Sequence, residues 1–313
     1  MYVIIQSMLL NILLLVIGFV LLIRGADAFI DGASALARRF NIPEIIIGLS
    51  IVAFGTSAPE AAVSISSVLQ GASGVAVGNV LGSNIVNILL ILGVSSVIAP
   101  LAVQKKTIQY EIPFVIFITI MLMWIGIRYG AITRSGAAVL CLCFVLFLGY
   151  LYFSAKKEIV NATKTPEMSM TKILVYIVIG ACALVLGSDL TVDSSVKLAE
   201  ILHVPNRIIG LSLVAFGTSL PELVTCIVAA RKKRVGLILG NIIGSNIFNI
   251  LFVLGITGLI APIKFDYAFT TDTAISVVIT TILWLITIYG HKLTRSVGIF
   301  FLVCYVGYLG YLI

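Results

Sequence analysis

The chain has 313 residues, of which 60% are hydrophobic and only 11% charged, with a formal net charge of +7. A mean hydropathy of +1.19 leaves too little polar surface for a water-soluble domain of this length. That excludes a soluble enzyme or nucleic-acid-binding module and makes the lipid bilayer the first expected partner. Apolar runs fall near 8–23, 42–69, 75–98, 112–127, 136–154, 173–187, 203–230, 237–260, 271–289 and 296–313. Most approach the ~20 residues needed to cross a bilayer, with 112–127 and 173–187 the shortest. They predict an all-α integral membrane protein with ten transmembrane helices. The first run has neither a basic leader nor a small-residue cleavage site, so it is expected to remain in the mature protein.

The second run carries GLSIVAFGTSAPE (48–60) and the third carries GNVLGSNIVNILLILGVSSVIAP (78–100). Both return 162 residues later, as GLSLVAFGTSLPE (210–222) and GNIIGSNIFNILFVLGITGLIAP (240–262). The repeat is wider than these motifs, because Gly25, Asp27, Asp31 and Pro43 match Gly187, Asp189, Asp193 and Pro205 at the same offset. The chain thus reads as a first repeat (1–154), a polar cytoplasmic linker (155–171) and a second repeat (172–313). Five crossings per repeat is an odd number, so the second copy must insert upside down relative to the first.

Lys and Arg choose the orientation. With the N-terminus outside, fifteen fall in inner segments, including Arg38, Arg39, Lys105, Lys106, Arg231–Arg234, Lys292 and Arg295. Five fall outside: Arg128, Arg134, Lys197, Arg207 and Lys264. The positive-inside rule therefore predicts a multi-pass protein of the cell membrane with both termini extracellular. The five cysteines all lie in apolar runs and read as small hydrophobes, not disulfides or thiolate ligands. Asn161 begins a formal glycosylation triplet in the predicted inner linker, where it has no meaning.

The repeated motif carries the chemistry. Pro59 lacks an amide hydrogen and crowds the carbonyl of Gly55, so carbonyls near Ala53–Gly55 are expected to lose intrahelical partners. Pro221 does the same near Ala215–Gly217. Within a bilayer, such carbonyls must be satisfied by protein, water or a cation. Thr56, Ser57 and Glu60 add oxygens beside the break, and Thr218, Ser219 and Glu222 repeat them. Asn79, Ser83 and Asn87 follow at a spacing of four, with Asn241, Ser245 and Asn249 as mates. The four motif glycines Gly78, Gly82, Gly240 and Gly244 allow helices to approach closely. Carboxylate, hydroxyl, amide and carbonyl oxygens suit hard cations such as Ca²⁺ and Na⁺, and two carboxylates balance one Ca²⁺ or two Na⁺. A buried carboxylate is costly in a membrane and is rarely kept without use. For Asn79 and Asn241, helix bracing competes with ion ligation. Asp27, Asp31, Asp189 and Asp193 read mainly as residues near helix ends.

With GTSxPE followed by GNxxGSNxxN in both halves, the chain resembles the cation/calcium exchanger superfamily, specifically its small prokaryotic sodium/calcium exchangers. The resemblance covers almost the whole chain. It implies ion sites between helices 2, 3, 7 and 8, with Glu60 and Glu222 as the central carboxylates. It further implies hydroxyl or backbone oxygens from Thr56, Ser57, Thr218 and Ser219, and carbonyls from Ala53 and Ala215. Ser83, Asn87, Ser245 and Asn249 complete the implied set, and helices 1 and 6 are implied to slide across it. One departure stands out: many relatives carry Asp at one of the positions held here by Asn87 and Asn249. The site then has two formal negative charges. The expected function is a secondary antiporter that exchanges Na⁺ for Ca²⁺ by alternating access and extrudes Ca²⁺. Ca²⁺/H⁺ antiport is the alternative, with a passive cation channel behind it. No enzyme chemistry is expected, since HExxH is lacking and no His lies in a membrane core to activate the motif serines. No cofactor is expected beyond the transported ions, and no obligate protein partner is evident.

Overall fold

The computed structural model describes residues 2–157, 168–202 and 215–312. Helix α1 (Tyr2–Phe40) is followed by a bent pair, α2 (Glu44–Thr56) and α3 (Ala58–Leu69), which turn by 46° at Ser57. Then come α4 (Ser73–Ile98), α5 (Thr107–Tyr129) and α6 (Arg134–Lys157). The second half holds α7 (Met170–Ile201), a single turn Ala215–Gly217, α8 (Leu220–Arg231), α9 (Val235–Ile260), α10 (Tyr267–Gly290) and α11 (Arg295–Leu312). Each of the ten apolar runs coincides with helix in its described part. The seventh begins in residues 203–214, outside the description, together with His203, Pro205 and Arg207. Most of the linker, including Asn161 and Lys164, lies outside it as well.

Two boundaries differ from expectation. The apolar runs 8–23 and 173–187 predict helices that end near their borders, yet α1 continues to Phe40 and α7 to Ile201. Both are longer than the ~20 residues a bilayer demands. Their surplus turns are held by an antiparallel seam of small residues. A methyl group on Gly25 would lie 3.0 Å from the Gly180 carbonyl, and one on Gly187 would lie 2.8 Å from the Leu22 amide. Only glycine permits this approach, and it lets backbone pack on backbone where lipid offers no hydrophobic drive. Asp27, Asp31, Asp189 and Asp193 consequently sit inside helices, not at their ends.

Two short strand pairs demonstrate the inversion. Strand β1 (Leu101–Ala102), after α4, pairs antiparallel with β4 (Lys292–Leu293), between α10 and α11. Strand β2 (Ala131–Ile132), between α5 and α6, pairs with β3 (Ile263–Lys264), after α9. The loop after the third crossing in one half therefore meets the loop after the fourth crossing in the other. Halves inserted the same way up would place those loops on opposite faces. The β1–β4 pair gathers Lys105, Lys106, Lys292 and Arg295 at one face, and β2–β3 gathers Arg134 and Lys264 at the other.

The core lies around α2, α4, α8 and α9. Helix α9 is buried nearly all round, whereas α6 and α11 present Leu142, Val145, Leu146, Val303 and Val306 outward. That is the expected distribution for a bundle wrapped in lipid.

Candidate cation site

Ser57 marks the break in the first half, with φ −86° and ψ 11°, and Pro59 stands in the first turn of α3. Ser219 is its mate, with φ −87° and ψ 4° before α8. A proline in the first helical turn costs nothing there, because that N–H has no intrahelical acceptor. The sequence thus restarts a helix twice in mid-bundle and brings a glutamate into each new first turn.

Glu60 and Glu222 are 1% and 0% exposed. Each carboxylate is held by a serine of the opposite half and by a serine of the next helix in its own half. Ser219 donates to Glu60 Oε1 at 3.3 Å and Ser83 does so at 3.4 Å. Ser57 donates to Glu222 Oε1 at 2.8 Å and Ser245 at 3.3 Å. The threonines cross between halves too: Thr56 donates to Asn241 Oδ1 at 2.9 Å and Thr218 to Asn79 Oδ1 at 3.2 Å. Close approach of α2 and α9 makes this crossing possible. A methyl group on Gly240 would meet the Ile45 carbonyl at 2.5 Å, and one on Gly244 would meet Leu49 at 2.8 Å. For Gly78 the nearest described neighbour is the Phe269 ring, at 3.8 Å.

Asn87 and Asn249 lie one turn beyond the motif serines, at the start of π-helical turns Asn87–Ile91 and Asn249–Val253. Such wide turns recur at functional sites because they redirect side chains off the α-helical stripe. Among the described residues, four oxygens here are buried without a hydrogen-bond donor: Glu60 Oε2, Glu222 Oε2, Asn87 Oδ1 and Asn249 Oδ1. All four are acceptors, and they form two repeat-related pairs. Leaving a buried acceptor unpaired costs about 1–3 kcal/mol, and more when it is charged. Acceptors of this kind call for a cation or a donor, whereas an anion or a hydrophobic substrate would satisfy none.

Of the predicted residues, Ser57, Ser83, Ser219 and Ser245 bond to Glu60 or Glu222, Thr56 and Thr218 bond to Asn241 and Asn79, and Asn87 and Asn249 bond to Asn246 and Asn84 one turn further on. The expectation for the Ala53 carbonyl needs correction. It accepts the Ser57 N–H at 3.0 Å, so it keeps an intrahelical partner. The carbonyl released by proline is that of the glycine: Gly217 O accepts the Ser188 hydroxyl from α7 at 2.8 Å. Ala215 opens the single turn directly after the residues outside the description. Asn79 acts as a brace, donating to Glu60 O at 3.1 Å and Ser64 Oγ at 3.0 Å. Asn241 donates instead to Cys226 Sγ at 3.4 Å, cysteine standing where the first half has Ser64. Asp27 and Asp31 pair with Lys232 at 3.1 and 2.8 Å.

Sequence reasoning passed over Asn84 and Asn246. They stand beside the singled-out serines in each GSN, but off the stripe spaced by four. Their presence at the repeat offset was the available signal.

The inverted halves, twin helix breaks and paired buried carboxylates define an inverted-repeat membrane cation transporter. The chain belongs to the family described as sodium/calcium exchanger protein, which matches residues 10–153 and 172–313. It is a multi-pass cation/calcium exchanger and not an enzyme. It is 39% identical to the putative antiporter CaxA of Alkalimonas amylolytica, over 96% of this chain and 98% of the relative. It is 30% identical to the sodium/calcium exchanger MaX1 of Methanosarcina acetivorans, over 96% and 97% of the two chains. Among solved structures, the sodium-calcium exchanger NCX_Mj soaked with Na⁺ and Sr²⁺ superimposes with a TM-score of 0.85 at 34% identity. That match covers 95% of this chain and 97% of the other.

Proposed function

We propose that the protein is a secondary antiporter in the cell membrane that uses inward Na⁺ flow to extrude Ca²⁺. One observation carries the reading: the four donor-less acceptor oxygens of Glu60, Glu222, Asn87 and Asn249, buried in a layer shared by the two halves. Carboxylates taken out of water without a counter-charge cost several kcal/mol each, on the order reported for buried ions. A bound hard cation offsets that cost. One Ca²⁺ or two Na⁺ neutralise the two glutamates equally, so both ions compete for overlapping oxygens and each displaces the other. The hydroxyls of Thr56, Ser57, Ser83, Thr218, Ser219 and Ser245 rotate to offer lone pairs to the ion. The NCX_Mj crystals soaked with Na⁺ and Sr²⁺ support this pairing of ions.

In this reading both termini are extracellular, which the clustering of Lys105, Lys106, Lys292 and Arg295 at the β1–β4 face supports. Alternating access comes from α1 and α7 moving as a pair across the core, since each packs more intimately on the other than on α2 or α8.

The test is ⁴⁵Ca²⁺ uptake into proteoliposomes loaded with Na⁺ and diluted into Na⁺-free medium, with pH clamped. Uptake that collapses without the Na⁺ gradient is the expected result. Uptake driven only by an imposed pH gradient would replace Na⁺ by H⁺ as counter-ion. Uptake without saturable counterflow would overturn the antiporter for a pore.

A further inference from the structure

We infer that Asn84 and Asn246, which bear no direct role in the proposed ligand set, are positioning residues that orient the site asparagines across the repeat boundary. The inference rests on the cation-site reading above. Asn84 Nδ2 donates to the backbone carbonyl of Asn246 at 3.3 Å, and Asn246 Nδ2 donates to the carbonyl of Asn84 at 3.4 Å. The four asparagines are at most 2% exposed, so water does not compete for these bonds.

A backbone carbonyl only accepts, and this fixes which end of each amide faces it. The nitrogen of Asn84 must point at Asn246 O, which turns Asn84 Oδ1 the other way. There it accepts the Nδ2 of Asn249 at 3.1 Å. Asn249 must therefore present its nitrogen to Asn84 and its oxygen away from it. Asn246 imposes the same order on Asn87, whose Nδ2 donates to Asn246 Oδ1 at 2.9 Å. The outcome is that Asn87 Oδ1 and Asn249 Oδ1 remain as the buried acceptors without donors. Two main-chain carbonyls thus set, through two intermediate amides, which atom each site asparagine offers to a cation.

The wiring is crossed: Asn84 of the first half orients Asn249 of the second, and Asn246 orients Asn87. Carboxamide also fits this geometry in a way carboxylate does not. An ionised Asp at 87 or 249 would set oxygen against the Oδ1 of Asn246 or Asn84, acceptor against acceptor, and only its protonated form could donate. The clasp therefore accounts for asparagine at both positions and for a site with two formal negative charges.

The crossing makes a test that a merely structural role would not pass. Equilibrium ⁴⁵Ca²⁺ binding to purified protein is measured for Asn84→Ala, Asn249→Ala, Asn87→Ala and the doubles Asn84→Ala/Asn249→Ala and Asn84→Ala/Asn87→Ala. Removing such a supporting hydrogen bond is expected to weaken Ca²⁺ binding by about tenfold or more. In the Asn249→Ala background the Asn84→Ala effect should vanish, whereas in the Asn87→Ala background it should persist. Fold-changes that multiply in both backgrounds would overturn the assignment, as would losses that vanish in both. Should the alanine variant not fold, Asn84→Ser carries the same cycle, and Asn246→Ala provides its mirror with the partners exchanged. Binding is read without any Na⁺ gradient, so failure of Na⁺ coupling in the flux experiment and failure of this clasp are separate results.

Discussion

The two helix breaks are alike on the side that faces the site and unlike on the side that faces the long outer helices. Inward, three bonds across the repeat boundary recur: serine to the opposite glutamate, threonine to the opposite asparagine, site asparagine to the opposite clasp asparagine. Outward, Gly55 is covered by the Phe29 ring of α1, while Gly217 is covered by Val192 of α7 and its carbonyl takes the Ser188 hydroxyl. The position in α1 that matches Ser188 is Ala26, which has no hydroxyl to give. The bonds across the repeat boundary are kept in both copies, whereas the flanks differ. The difference separates two jobs, since ligation needs both halves equally while transport needs one face to behave differently from the other.

The largest expected effect tests the symmetry itself. Glu60→Gln and Glu222→Gln each remove one of two charges, and each should lower Ca²⁺ flux by about 100-fold or more, beyond the range seen for supporting residues. The two losses should be similar. A variant that keeps near-normal ⁴⁵Ca²⁺ uptake would show that the halves of the site are not equivalent.

A middle-sized effect is expected at Ser188. Ser188→Ala leaves the Gly217 carbonyl without its donor, at a cost of about 1–3 kcal/mol. The measurement is the melting temperature in detergent alongside the Ca²⁺ flux, with Ala26→Ser as the reciprocal change. A fall for Ser188→Ala and little change for Ala26→Ser would sharpen the contrast. Equal indifference to both would remove it.

The smallest effect belongs to Lys232, which ties α1 to the turn between α8 and α9 through Asp27 and Asp31. Its repeat counterpart is Gln70, so the opposite face lacks this ion pair. The partners are 29–46% exposed, and a pair of that kind contributes under about 1 kcal/mol. Lys232→Gln should shift half-saturating Ca²⁺ at the inner face by less than about fivefold. High salt should reduce the difference between variant and parent. A larger or salt-insensitive shift would mean Lys232 does more than tether α1.

Much of this was legible in the residues. Composition and the apolar runs announced the bundle, and the 162-residue offset announced two halves. An odd number of crossings announced their inversion, which the crossed strand pairs then demonstrated. Glu60 and Glu222 stood out because a carboxylate in a hydrophobic run demands a reason. Local rules were less reliable where tertiary packing overrides them. The prolines pointed to the glycine carbonyl four residues earlier, but the expectation reached too far back along the turn, where the Ser57 amide keeps Ala53 engaged. Asn84 and Asn246 escaped because a spacing of four follows an α-helix, and α4 and α9 widen into π-helical turns one residue triplet later. The surplus length of α1 and α7 escaped because charged residues after a spanning run read as loop. Their glycine seam becomes meaningful only with the partner helix in place.

The strand pairs also bear on how the protein is made. Leu101 pairs with Leu293, some 190 residues further along the chain. At a synthesis rate of roughly 5–20 residues per second, the wait is on the order of ten to forty seconds. Through that interval the newly inserted first half holds Glu60 without Ser219, and Asn87 without Asn246. Biogenesis therefore passes through a half-built intermediate whose polar groups are committed to partners not yet synthesised. Proteolytic surveillance of the membrane has its best opportunity there, and truncated chains that end before the second half should be among its preferred targets.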